Sequence, residues 1–143
     1  MAIISHHLFN RQPVLEGEGS TLRLMSPSAD QARARRIVAE RADGRCEIGI
    51  SQVCLGAADT IHHRRKRRFK DTIWSVSNLV ACCGDGVRGC HGWVEAHPSL
   101  ANAEGLWLFG HQIPQLEAIH MSFGARRSWW MLDDDGGAHD VSL

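Results

Sequence analysis

Five cysteines fall between positions 46 and 90 of a 143-residue chain: Cys46, Cys54, Cys82, Cys83 and Cys90. A chain of this length suits one small domain with modest extensions. A core that small often relies on a metal or on disulfides to close it. The opening MAIISHHLFNRQ lacks the basic-then-apolar layout of a secretory signal. No apolar run approaches the roughly 18 residues that a membrane span needs. A cytoplasmic chain without a membrane partner is therefore expected, where thiols or metal ligands are favoured over disulfides.

The chain carries 16 basic and 16 acidic residues, for a formal net charge of zero. That balance argues against a nonspecific DNA coat. The distribution is less even. Arg64, Arg65, Lys66, Arg67, Arg68 and Lys70 form one basic block, and Asp133, Asp134 and Asp135 an acidic one. A local concentration of cations steers binding to a polyanion.

Along the chain, residues 1–25 show no strong period and read as a leader. Its His6–His7 pair has no supporting feature and reads as part of a tail. SPSADQARARRIVAERADG reads as a helix, with Ser26 as cap, Pro27 in the first turn and Ala34, Ile37 and Val38 on one face. Gly44 can stop it. CEIGISQVC looks like a knuckle leading to a strand. TIWSVSNLVACC alternates and predicts a second strand, and CGDGVRGC a glycine-rich loop. HGWVEAH suits a short helix, ended or restarted at Pro98. SWWMLDDDGG suits a strand running into a turn. Trp74 and Trp93 are expected in the core.

Four features occur in order: Cys46…Cys54, His62–His63, Asn78, and Cys83…Cys90–His91. The order and separation of His63, Asn78 and His91 resemble the HNH nucleases. In that family a His pair ends a first strand, NL opens a second, and a Cys…Cys-His run leads into a helix. Here these are IHHR, NLVACC and GCHGW. The stretch is similar to the variety common in phage genomes of actinobacteria, and the resemblance covers roughly residues 33–137. It implies an α+β fold with a small ββα-metal (HNH, His-Me finger) core, in a nuclease domain over residues 26–105 that includes the preceding helix. An N-terminal helix, a four-cysteine zinc knuckle and a C-terminal β extension over 106–143 complete that expectation.

The resemblance also implies roles. Phosphodiester hydrolysis requires an activated water, a cation on the developing charge, and help for the leaving oxygen. His63 takes the role of base, which a neutral histidine suits near pH 7. His62 points to the metal, Asn78 fixes the loop carrying His63, and His91 enters from the helix as a second ligand. Adjacent strand residues face opposite ways, so a loop or bulge must reorient one of the two histidines. Glu95 sits four residues after His91, on the same helix face, and is either a third ligand or a solvated glutamate. A carboxylate there suits Mg²⁺ or Mn²⁺, and Ni²⁺ is a further candidate. His97 lies off that face and reads as a surface or phosphate-contacting residue.

Cys46, Cys54, Cys83 and Cys90 would make a structural Zn²⁺ site, with a cluster of buried thiols as the alternative. The two-residue knuckles of the family are replaced by seven and six intervening residues. Cys82 reads as a small core residue. Arg64, Arg65, Arg67 and Arg68 read as DNA phosphate contacts. The implied function is a metal-dependent DNA endonuclease, phage-encoded, acting in a bacterial host beside a terminase in genome packaging, or nicking. A restriction or homing nuclease is the nearest rival. A non-catalytic zinc-stabilised DNA-binding module and a basic protein-interaction adaptor are rivals from other classes.

Overall fold

The structure, a computed structural model, describes residues 28–123 and 126–142. The leader, the His6–His7 pair, Ser26 and Pro27 lie outside the described residues. The chain forms two compact units, Met1–Ala32 and Arg33–Leu143. Within the first, Ser28 Oγ accepts the Gln31 N–H at 3.0 Å, a capping bond at the start of helix α1 (Ala29–Ala42). The second unit is a small mixed α+β body with few helices and two small antiparallel sheets.

Helix α1 buries Ala34, Val38 and Ala42, spaced four residues apart on one face. It stops where Gly44 turns to φ +79°. The first sheet is a hairpin of β1 (Thr60–His63) and β2 (Leu79–Cys82). Its register pairs Thr60 with Cys82, Ile61 with Ala81, His62 with Val80 and His63 with Leu79. Side chains alternate along a strand, so each face carries every second residue. Val80 and Cys82 join the core that includes Cys90 and Val94. Leu79 and Ala81 join the one that includes Ala34, Val38, Ile61 and Trp74. Burial on both faces accounts for the unbroken apolar run LVAC.

The second strand is shorter than TIWSVSNLVACC suggested. Ser75 N–H bonds to the Thr72 carbonyl at 3.0 Å and Asn78 N–H to the Ser75 carbonyl at 2.9 Å, so residues before Leu79 turn instead of extending. Val76–Asn78 is one 3-10 turn. Its side chains fill a core and bind a loop, and those contacts outweigh the β propensity of the segment.

Helix α2 (Gly89–Ala96) follows the hairpin, and α3 (Pro98–Ala103) restarts at Pro98. A 3-10 turn at Pro114–Leu116 leads to a meander of β3 (Ile119–Phe123), β4 (Arg126–Leu132) and β5 (Ala138–Asp140). Ile119, Met121 and Leu132 share one buried cluster with Cys46, Ile48, Cys90 and Val94. The expected C-terminal extension thus completes the core beneath the cysteines. Trp74 and Trp93 are half-buried at the edges of the two cores. Among the described residues no helix is long and apolar enough to cross a membrane.

Candidate metal centres

Two clusters of metal-ligating side chains form around α2. One ligand atom from each of His62, His91 and Glu95 lies within 4.8 Å of the others. Strand β1 delivers His62, and α2 delivers His91 and Glu95 one turn apart. His62 Nδ1 lies 3.8 Å and His91 Nε2 4.0 Å from Glu95 Oε2. Two ligands on a tetrahedral ion with bonds of 2.0–2.1 Å are separated by about 3.4 Å. A shift of a few tenths of an ångström brings all three into reach of one ion.

The outer contacts aim the lone pairs. His62 Nε2–H donates to the Leu106 carbonyl at 2.6 Å, which leaves Nδ1 as the acceptor facing Glu95. Thr60 Oγ1 donates to the Gly84 carbonyl at 3.2 Å and so accepts from His91 Nδ1–H at 2.9 Å. His91 Nε2 is then the free acceptor. A metal-binding histidine is commonly oriented in this way by a partner on its other nitrogen. Burial holds the His62 pKa down to about 3, and lowers that of His91. Neutral imidazole is the form that coordinates.

Lys66 lies against Glu95 of this site. Its ammonium lies 2.9 and 3.1 Å from the two Glu95 oxygens and 3.9 Å over the Trp107 ring.

His63 is not part of this group. The hairpin register stays regular through His63, with no bulge to reorient the pair. Of the loop or bulge expected at the strand end, a bulge within β1 is thereby ruled out. His63 lies instead against Trp74, ring centres 5.2 Å apart in an edge-on contact. Its Nε2 is buried and has no hydrogen-bond partner. Burial first, then the charges of Arg67, Arg35 and Lys66, holds its pKa down to about 4. It is therefore a neutral ring with an unsatisfied nitrogen, at the rim of a cationic surface.

Asn78 is fully buried, and all its side-chain bonds go to the loop that follows β1. Oδ1 accepts the Arg65 N–H at 2.7 Å, and Nδ2 donates to the Arg65 and Thr72 carbonyls, each at 3.1 Å.

The second cluster brings Cys46, Cys54, Cys83 and Cys90 Sγ within 4.8 Å of one another, with Cys83 and Cys54 at 4.0 Å. Four sulfurs around a zinc at 2.3 Å are separated by about 3.8 Å. The four cysteines can therefore hold one metal ion such as zinc. Backbone N–H groups already point at the sulfurs: Ile50 to Cys90 at 3.3 Å, Leu55 to Cys83 at 3.2 Å, and Cys90 to Cys83 at 3.2 Å. The long knuckles thus carry N–H···S bonds despite their spacing. A bond from the Cys90 thiol pulls Cys46 down to about 4 and drives Cys90 up. Gly84 and Gly89 close the loop between Cys83 and Cys90. Both sit at positive φ, and a Cβ on Gly84 would overlap the Arg88 carbonyl. Cys82, buried with its pKa raised to about 12, is the small core residue expected.

The basic block separates by burial. Arg64 is fully buried, and its guanidinium donates to the carbonyls of Gly105, Ser77, Pro114, Glu117 and Ala118. Arg65 bonds Gly110, Asp71 and Thr72 and covers the Phe69 ring at 4.2 Å. Arg64 has no free face for a phosphate, which corrects its reading as a DNA contact, whereas Arg65 is half-buried with its donors engaged by these partners. Arg67 and Arg68 are exposed. Exposed His97 bonds its own helix through the Trp93 carbonyl.

Sequence reasoning missed Lys66, Thr60 and the buried ion pair of Arg41 with Glu47, at 2.7 Å. Thr60 was within reach, since it stands two residues before His62 and so shares its strand face. Glu47 carried no such signal; it also accepts the Ala81 N–H at 2.8 Å, tying the first knuckle to β2. Comparison with protein-family models, curated proteins and solved structures gave no match.

Proposed function

We propose that the chain is a metal-dependent endonuclease of the HNH type that hydrolyses DNA phosphodiester bonds. The observation that carries this reading is the convergence of His62 Nδ1, His91 Nε2 and Glu95 from a β-hairpin and the helix after it. Two imidazoles and a carboxylate, each imidazole with its other nitrogen satisfied, can hold a divalent cation: the imidazoles suit Ni²⁺, and the carboxylate suits Mg²⁺ or Mn²⁺. Such a cation supplies electrostatic stabilisation to a phosphate and its leaving oxygen. The hairpin–helix order and the NL and Cys–His motifs agree with the resemblance to phage HNH nucleases.

In this reading His63 is the base. Its neutral ring takes a proton from water, which attacks phosphorus in line. The P–O3′ bond breaks, the leaving O3′ takes a proton from solvent, and the products are a 5′-phosphate and a 3′-hydroxyl. A buried nitrogen without a partner costs about 1–3 kcal/mol, and an incoming water or phosphate would relieve it. Because His63 and His62 face opposite sides of β1, the phosphate has to cross the strand end to meet both. Asn78 holds the loop there. Arg67 and Arg68 supply exposed charge for the flanking phosphates. The four-cysteine cluster is a structural zinc site, fastening α2 to the first knuckle.

A second reading is a zinc-stabilised DNA-binding module without catalysis. It draws on the same burial of His63 Nε2 and on the ammonium at Glu95. One experiment separates the two. A labelled duplex is incubated with protein and Mg²⁺, Mn²⁺ or Ni²⁺, and binding and cutting are scored on the same sample. Cutting with 5′-phosphate ends supports the nuclease, and binding with intact strands supports the module.

A further inference from the structure

We propose that Lys66 is a built-in counter-cation of the His62–His91–Glu95 site, competing with the metal for Glu95 until a DNA phosphate draws it away. This inference rests on the reading of those three residues as a divalent-metal site. Both Glu95 oxygens are engaged by the Lys66 ammonium, at 2.9 and 3.1 Å. One of them, Oε2, is also the atom nearest to both imidazole acceptors, at 3.8 and 4.0 Å. A divalent ion held there claims the lone pairs that the ammonium now occupies. Two positive charges share one carboxylate in a partly buried site, where repulsion is screened less than in water.

Lys66 has somewhere to go. Asn78 clamps the backbone at Arg65, so the long lysine stem moves while the loop stays put. The ammonium rests over Trp107, and Arg67 and Arg68 beside it are exposed. A polyanion bound to those arginines offers the ammonium a phosphate in exchange for Glu95. Metal and DNA then bind with positive coupling, and linkage makes that coupling reciprocal. The device would keep the site poor in metal until substrate arrives.

The test is Mn²⁺ binding to the full chain, with and without a short phosphorothioate duplex that resists cutting. Mn²⁺ prefers oxygen and imidazole ligands, so the thiol cluster does not interfere. Wild type, Lys66→Met and His91→Ala are compared, with thermal melts to confirm folding. Wild type is expected to bind Mn²⁺ about tenfold more tightly with duplex present, in the usual range for coupled sites. Lys66→Met is expected to gain about tenfold without duplex and little more with it. Equal Mn²⁺ affinity in wild type and Lys66→Met overturns the competition while leaving the metal site standing. Mn²⁺ binding that is absent throughout, or unchanged in His91→Ala, overturns the site reading and this inference with it.

Discussion

Asn78 and Arg65 bond each other twice: the Arg65 N–H reaches Asn78 Oδ1 at 2.7 Å, and Asn78 Nδ2 reaches the Arg65 carbonyl at 3.1 Å. This closed pair fixes the exit of β1 just after the two histidines. Asn78→Ala removes both bonds and the third to the Thr72 carbonyl, and leaves part-buried backbone groups unpaired, so a loss of about 2–4 kcal/mol in urea unfolding is expected. Asn78→Asp keeps the acceptor but sets a second oxygen against the Arg65 and Thr72 carbonyls, and should cost at least as much.

Arg64 and Arg67 differ by three positions and should behave oppositely. Arg64→Met removes the donations to five buried or part-buried backbone carbonyls, of which Pro114 keeps the Glu117 N–H, and is expected to destabilise the fold by about 3 kcal/mol. Arg67→Ala should leave the melting temperature within error. It should lower the slope of log affinity for DNA against log salt by about 1. Binding titrations at several salt concentrations, beside thermal melts, check both.

The four cysteines can hold one metal ion such as zinc, and the proposed structural site predicts one zinc per chain. Metal analysis of protein folded with zinc should return that ratio, and Cys90→Ser should lose it. Chelation should lower the melting temperature by about 10 °C or more, because a metal that binds only the folded chain contributes to its stability. Unchanged melting after complete zinc removal sinks the structural role.

Burial lowers the folded pKa of His62 to about 3 and of His63 to about 4, below the unfolded value of 6.5. Between those values the unfolded chain binds protons that the folded chain does not. Stability of the metal-free protein should therefore be full above about pH 6.5 and fall as pH drops toward 4. Each group contributes a slope of up to about 1.4 kcal/mol per pH unit. Unfolding curves of His63→Asn across this window should fall less steeply than those of wild type.

Much of the site's frame was visible in residue order. Local signals placed α1, the break at Pro98 and the turn after SWWMLDD, because apolar spacing, proline and glycine act over a few neighbours, while the cap seen is Ser28 and the expected Ser26 lies outside the described residues. The spacing of His91 and Glu95 foretold a shared helix face. The fate of the basic block was not visible. Six cations in a row look solvated, yet Arg64 is turned inward by carbonyls at 105, 114, 117 and 118, far along the chain. Lys66 owes its position to Trp107 and Glu95, and Glu47 its burial to Arg41 and Ala81. Such contacts depend on tertiary packing, which no local pattern encodes. Strand alternation raised the difficulty with His62–His63 in advance. Its resolution, a straight strand with the rings on opposite faces, needed the register.

The most direct test follows supercoiled plasmid with Mg²⁺, Mn²⁺ or Ni²⁺, comparing wild type, His91→Ala and His63→Ala. Wild type should give nicked or linear DNA that EDTA abolishes. His91→Ala should lose about 10²-fold or more, with activity partly recovered at high metal, as expected for a lost ligand. His63→Ala should lose about 10²–10⁴-fold with no recovery, as expected for a lost base. Intact plasmid from folded wild type under every metal overturns the nuclease reading, and undiminished cutting by His91→Ala overturns the metal site that carries it.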